Sequence, residues 1–166
     1  MKALSIKNPF ATLIANGIKK IEVRSFYTYH RGPLLICASA IPEYNLNKYY
    51  KDSYFSYELQ DKIDRWDRGP VDGKAICVAN IVNCFPLKHF NDDDACVQKI
   101  ALDENFPDKK YYGWHLDNVR LIEPFDVKGK LGFFDVPDEL IIYEKEREFP
   151  AYLSEPIFKE EYFGCR

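Results

Sequence analysis

Apolar and polar positions along this chain fall into short stretches, each with its own period. Residues 2–6 partly alternate and predict a first strand. Asn8-Pro9 then reads as a helix start, with Asn8 as the cap and Pro9 in the first helical position. Phe10, Leu13 and Ile14 share one helical face, and Gly17 follows where a left-handed C-terminal residue is wanted. A two-turn helix over 9–16 is therefore expected. Residues 20–24 alternate: Ile21 and Val23 point one way, Lys20, Glu22 and Arg24 the other. This predicts a half-buried strand whose second face is entirely charged. A polar and aromatic connection over 25–31 ends at Gly32-Pro33, and the continuous apolar run 34–38 predicts a buried strand.

Residues 47–66 carry helical periodicity, with Phe55, Leu59, Ile63 and Trp66 on one side and Tyr50, Tyr54 and Tyr57 on roughly the other. Residues 74–85 predict a long strand. Residues 91–102 predict one short surface helix opened by three aspartates, which favour a helix N-terminus. Strands are expected over 111–122 and, flanking the turn Gly129-Lys130, over 125–128 and 131–134. A helix is expected over 137–147, and an acidic, aromatic tail over 148–166, laid on the body. Together these predict one mixed α+β domain over 1–147, a small barrel with a helical insert at about 44–68.

The length of 166 residues suits a single domain that needs no staples. No apolar run approaches the roughly 20 residues of a membrane span, and residues 1–5 lack a signal-peptide core. A cytoplasmic protein, nuclear in a eukaryote, with no membrane partner is expected. The five cysteines include no CxxC pair and read as small buried hydrophobes in a reducing compartment. His30, His89 and His115 are dispersed, so neither a metal site nor a cofactor is expected. The net charge of −3 conceals an asymmetry. Residues 1–31 hold six basic side chains (Lys2, Lys7, Lys19, Lys20, Arg24 and Arg31) against Glu22 alone, on an otherwise acidic body. That is the footprint of a local anion site, or equally of charges dispersed by folding.

Leu4-Ser5-Ile6, Pro9-Phe10-Ala11, Gly17-x-Lys19-x-x-Glu22-x-Arg24 and His30-Arg31-Gly32 resemble the ASCH domain, the activating-signal-cointegrator homology domain. The stretch 25–32 is similar to its transcription-coactivator branch. Gly73-Lys74-Ala75, Trp114-His115-Leu116, Pro124-Phe125 and Lys128-Gly129 extend the likeness. The resemblance implies a PUA-like fold, a small mixed β-barrel flanked by helices, and an association with nucleic acid. It also implies two possible activities, amidohydrolysis of an acetylated nucleoside and cleavage of RNA. Lys19 matches a catalytic lysine of the amidohydrolase branch, whereas Glu22 stands where that branch has threonine.

Physically, Gly17 turns the chain so that Lys19 and the charged strand face arrive at one place. Arg24 can grip a phosphate or a base edge. Glu22 can accept a base amino group or hold Lys19 or Arg24 in place. If it does neither, Glu22 and Arg24 are a surface ion pair worth about 0–1 kcal/mol. A cleft lined by Lys19, Glu22, Arg24 and Arg31 is expected to admit an unpaired base, with Phe10, Tyr29 or Trp114 stacking on it. The first expectation is thus a nucleic-acid-binding module, with RNA favoured over DNA. A hydrolase on a modified nucleoside or RNA, using Lys19 as base and Glu22 to orient water, is the second. A protein-interaction domain using the tyrosine-bearing helix and the acidic tail is the third.

Overall fold

The computed structural model of the protein describes residues 1–145, apart from Asp52 and Phe90. Six strands build one mixed sheet: β1 (Lys2–Ile6), β2 (Ile21–Arg24), β3 (Gly32–Ala38), β4 (Lys74–Pro86), β5 (Tyr112–Asp126) and β6 (Phe133–Asp135). Their order is β2-β5-β4-β3-β1-β6. β1 and β3 run parallel, while every other neighbouring pair is antiparallel. The sheet curls into a half-barrel rather than closing, since β2 and β6 remain at its edges. The curl has a local cause. Register shifts at Ile36/Cys37, Ala75/Cys77, Val78/Asn80 and Ile81/Asn83 add residues to one strand of a pair, which bends the strand and raises its twist.

Alternation along the strands divides the interior in two. Leu4, Ile6, Leu34, Ile36, Ile76 and Ile81 pack with the helices on one face. Ala3, Leu35, Cys37, Ala75, Val78 and Phe134 pack on the other. This two-sided burial is why the run 34–38 is continuously apolar.

Helix α1 (Phe10–Ala15) is shorter than expected, and Pro9 occupies its cap position. Asn8 does not cap it. Its side-chain amide donates instead to Asp72 Oδ1 at 2.6 Å, and the Asn8–Pro9 bond is cis. Past the helix, Gly17 adopts φ +71°. The Ile18 and Lys19 amides both donate back to Leu13 O, at 2.9 and 3.0 Å, closing off the helix end.

The insert is a 3₁₀ turn, Leu46–Tyr49, followed by α2 (Ser53–Asp64). Leu59 is buried, with Phe55, Ile63 and Trp66 packed beside it, while Tyr54 and Tyr57 are exposed. Tyr50 leaves that tyrosine stripe and packs on the core against Phe55. The single helix expected over 91–102 is two: α3 (Asp92–Ala95), capped by Asn91, and α4 (Lys99–Asn105). Cys96, at φ 54°, ends α3 in the left-handed region. β5 runs on through Phe125, absorbing a stretch expected as a separate strand. Of the helix expected over 137–147, the described residues form a 3₁₀ turn at Asp138–Leu140, and 146–147 lie outside them. Past that turn the chain bridges back to the sheet at Ile122 and Tyr143. The tail 148–166 lies outside the described residues.

Candidate functional site

The end of β1, the start of α1, strand β2, the insert, α4 and the segment leading into β5 converge on a cavity of about 370 Å³. That volume lies within the ~300–1,000 Å³ of small-ligand sites. Its aromatic lining is Phe10, Tyr49, Phe106 and Tyr111. Its cations are Lys7, Lys19, Arg24, Lys48 and Lys109, and its carboxylates are Glu22 and Glu43.

Lys19 is the anchor. The Gly17 turn sends it inward, where its side chain is 2% exposed. Its ammonium donates to Ile21 O at 2.7 Å and to Ala95 O, and lies 3.7 Å from Glu22 Oε2. It also stands 5.3 Å from the centre of the Phe10 ring. The two carbonyls accept its hydrogen bonds, while Glu22, at 3.7 Å, acts on it through charge and favours the protonated form. Burial nevertheless lowers the Lys19 pKa from the usual lysine value, with Glu22 opposing the shift. Arg24 has no part in that shift; its contact is with Glu22, whose Oε1 accepts from its guanidinium at 3.4 Å.

Glu22 is therefore not half of a surface pair. It is 5% exposed, held between two cations. Of the charged strand face expected from alternation, Glu22 and Arg24 line the cavity, whereas Lys20 stays on the surface, 3.9 Å from Asp94.

The opposite wall belongs to the insert. Glu43 takes Lys48 at 2.8 Å and Lys7 at 3.6 Å, and accepts from the Tyr49 hydroxyl at 3.3 Å. Desolvation works against its charge, but Lys48, the Asn45 amide and Lys7 outweigh it and hold the carboxyl below the usual range. Burial, and secondarily Glu43, pushes the Tyr49 phenol upward. Both stay in their ordinary protonation states near neutrality, as acceptor and donor.

Four of the seven residues singled out from the sequence meet here: Phe10, Lys19, Glu22 and Arg24. The other three do not line the cavity. Arg31 donates to Thr28 O and His30 O, both at 2.9 Å, and so fixes the loop before β3. Tyr29 is 88% exposed and packs edge-on to Tyr27. Trp114 is fully buried, stacked on Phe133, with its indole N–H donating to Phe26 O at 3.2 Å. To the set read from the sequence the structure adds Lys7, Glu43, Lys48, Tyr49, Phe106, Lys109 and Tyr111. The adjacent basic and aromatic residues Lys48-Tyr49 and Lys109-Lys110-Tyr111-Tyr112 carry the signal that could have marked them. Among the described residues no group of three or more His, Cys, Asp or Glu is placed to hold a metal.

The ASCH domain family model matches residues 4–126. Activating signal cointegrator 1 of Homo sapiens is 54% identical over 37 residues, which is 22% of this chain and 6% of that protein. Its Mus musculus counterpart is 53% identical over 36 residues, again 22% and 6%. The chain thus matches only a small fraction of these relatives' length. Among solved structures, ASCH from Zymomonas mobilis aligns with a TM-score of 0.56 at 15% identity, covering 83% of this chain and 88% of that one. A tyrosine-to-phenylalanine mutant of the same Zymomonas mobilis protein aligns at 0.53 and 12%, covering 83% and 91%. At such identities the likeness speaks for the fold alone, a mixed α+β PUA-like half-barrel. The family model, spanning β1 to β5 and every element that lines the cavity, places the chain in the ASCH domain family.

Proposed function

We propose that the protein is a nucleic-acid-binding module, with RNA as its preferred ligand, and that the cavity receives an unpaired base. One observation carries this reading. The cavity joins aromatic walls to five cations and to two buried carboxylates fixed as acceptors. A flat heterocycle finds ring faces in Phe10, Tyr49, Phe106 and Tyr111. Its amino or ring N–H groups find an acceptor in Glu22. The phosphates attached to it find Arg24, Lys7 and Lys109. A plain phosphate track has no use for two buried acids.

Lys19 serves here as a positioning residue. Its ammonium is held by Ile21 O and Ala95 O and lies 3.7 Å from Glu22, so its charge holds in place the carboxylate that faces the ligand.

Anisotropy titration of a short labelled single-stranded RNA across a salt series tests the reading. Affinity is expected to fall as salt rises, with a log–log slope of about −0.7 per phosphate contacted. Arg24→Ala is expected to weaken binding at every salt concentration. Absence of binding at low salt, or binding indifferent to salt and to Arg24→Ala, would refute it.

A second reading rests on Lys19 itself. A buried lysine of lowered pKa beside a carboxylate in a cavity is a feature of catalytic sites. It requires hydrolysis of a modified nucleoside or of RNA that is lost in Glu22→Gln with the fold intact. Full turnover in that variant would remove it.

A further inference from the structure

The cavity opens onto a longer charged surface. Arg24 lines it and also two neighbouring clefts. One, of about 610 Å³, lies against residues 127–132. Its charged groups are Lys7, Arg24, Lys128 and Lys130, with no carboxylate in its lining. The other shares Arg24, Lys109 and Tyr111 with the cavity. Lys109 and Tyr111 continue into a third cleft, where Lys88 and Lys110 join them and Asp103 is the one lining carboxylate.

Shared residues thus order a belt. It runs from Lys128 and Lys130, through Arg24 and Lys109 at the cavity mouth, to Lys110 and Lys88. The lysines at both ends are exposed, and none of those four pairs with a carboxylate among the described residues. The belt is not the general character of this surface. The chain carries a net charge of −3, and the cleft beside α2 is lined by Glu43, Asp64 and Asp72 with no cation.

Like charges that outnumber the acids beside them repel one another until an anion neutralises them. Ser5 marks the same cleft. Its hydroxyl is buried without a hydrogen-bond partner, under Gly129, where a methyl group would collide with it. Aromatic faces accompany the cations: Phe26 and Tyr111 line the stretch between the two ends.

From this arrangement we infer that the ligand is a single-stranded oligonucleotide bound through an internal nucleotide. That base occupies the cavity, and the phosphates on both sides of it lie along the two arms of the belt. A free nucleoside carries no phosphate, and a strand end would continue along one arm alone. Only a strand continuing in both directions neutralises both. The inference rests on the base-binding reading of the cavity and adds to it the class of ligand.

The test uses the full chain and two double variants, Lys128→Gln/Lys130→Gln and Lys88→Gln/Lys110→Gln. The probe is a labelled single-stranded RNA of about nine nucleotides, within the ~4–16-nucleotide footprint of small single-strand binders. Each double variant is expected to make the salt slope shallower by about 1.4, two contacts at about 0.7 each. Affinity at low salt should fall roughly tenfold. Competition by cytidine and adenosine monophosphates should be as strong as with the wild type. Tryptophan fluorescence verifies the fold, and the four single Lys→Gln variants, each lowering the slope by about 0.7, repeat the measurement independently.

Wild-type binding in both double variants would overturn the belt. A loss confined to one arm would overturn the internal placement. If Arg24→Ala weakens RNA binding while the arm variants do not, the cavity reading stands and the belt falls. If the wild type binds no RNA, both fall.

Discussion

Lys19→Met is the substitution that most directly tests how the site is held. Methionine keeps an unbranched stem of similar reach and removes the ammonium. In the native protein that ammonium donates to two backbone carbonyls, Ile21 O and Ala95 O, and sits 3.7 Å from Glu22. Its removal leaves two carbonyls without their donor, at about 1–3 kcal/mol for each buried acceptor left unsatisfied. It also leaves Glu22, 5% exposed, with Arg24 as its remaining cation. Against this, a buried charge no longer has to be desolvated, and that relief is several kcal/mol. Breaking one side of a buried pair typically costs about 3–5 kcal/mol net. The Arg24 contact places this case at the lower end, about 3 kcal/mol. For a domain of this size that corresponds to a melting temperature lower by roughly 6–12 °C.

Urea denaturation followed by tryptophan fluorescence measures the change, and Trp114 in the core makes the signal report on the whole fold. A pH series adds an independent sign. The folded-state pKa of Lys19 is depressed by burial, so between that value and the unfolded value of 10.5 the unfolded chain binds more protons than the folded one. Stability contributed by Lys19 therefore rises with pH across that window, and the deficit of Lys19→Met should widen there. The double variant Lys19→Met/Glu22→Gln should lose less than the sum of the single losses. A Lys19→Met protein as stable as the wild type, or a deficit that narrows with rising pH below 10.5, would refute the reasoning.

Three other outcomes follow from the same geometry. Gly17→Ala, at φ +71°, should lose about 1–2 kcal/mol in chemical denaturation, the cost of a left-handed non-glycine residue. Arg31→Ala should lower the melting temperature while leaving RNA affinity within about twofold of wild type, because its guanidinium is spent on Thr28 O and His30 O; Arg24→Ala should show the reverse balance. Burial raises the thiol pKa of Cys37 to about 12 and pushes Cys77 and Cys96 upward as well. A thiol reagent at mildly alkaline pH should therefore label these three only after denaturant is added.

The sheet is legible in the sequence where one period dominates. The apolar run 34–38 and the long strand from Lys74 stand where pattern places them, because burial on one or both faces leaves a direct mark on sequence. Gly17 is legible for a different reason, since a left-handed turn selects glycine. The division of the helix over 91–102 is not legible, because Cys96 interrupts it in a conformation that cysteine does not advertise. The pattern assigns Asn8 a cap that the fold denies it, because a tertiary partner, Asp72, claims its side chain. The rest of the site is legible only as basic residues beside aromatic ones, as at Lys48-Tyr49, and not as a place. Glu43, Lys48 and Tyr49 reach Glu22's cavity only after the insert folds across it, and no local spacing encodes that meeting. Trp114 shows the converse: an aromatic suited to stacking on a base is in fact consumed by Phe26 and Phe133.

The position of β2 at the edge of the sheet has a consequence for what can pair with it. An edge strand offers unpaired backbone groups to any extended chain that comes alongside, including another copy. Here Ile21 O, a carbonyl of that edge strand, accepts from the Lys19 ammonium. The amide of Lys20, just before the strand, is taken by Asp94 O from α3. Lys19 and α3 thus stand where a seventh strand would otherwise add. The residue that shapes the cavity also blocks the β2 edge, so a protein that lost Lys19 would leave that edge free to pair with another extended chain.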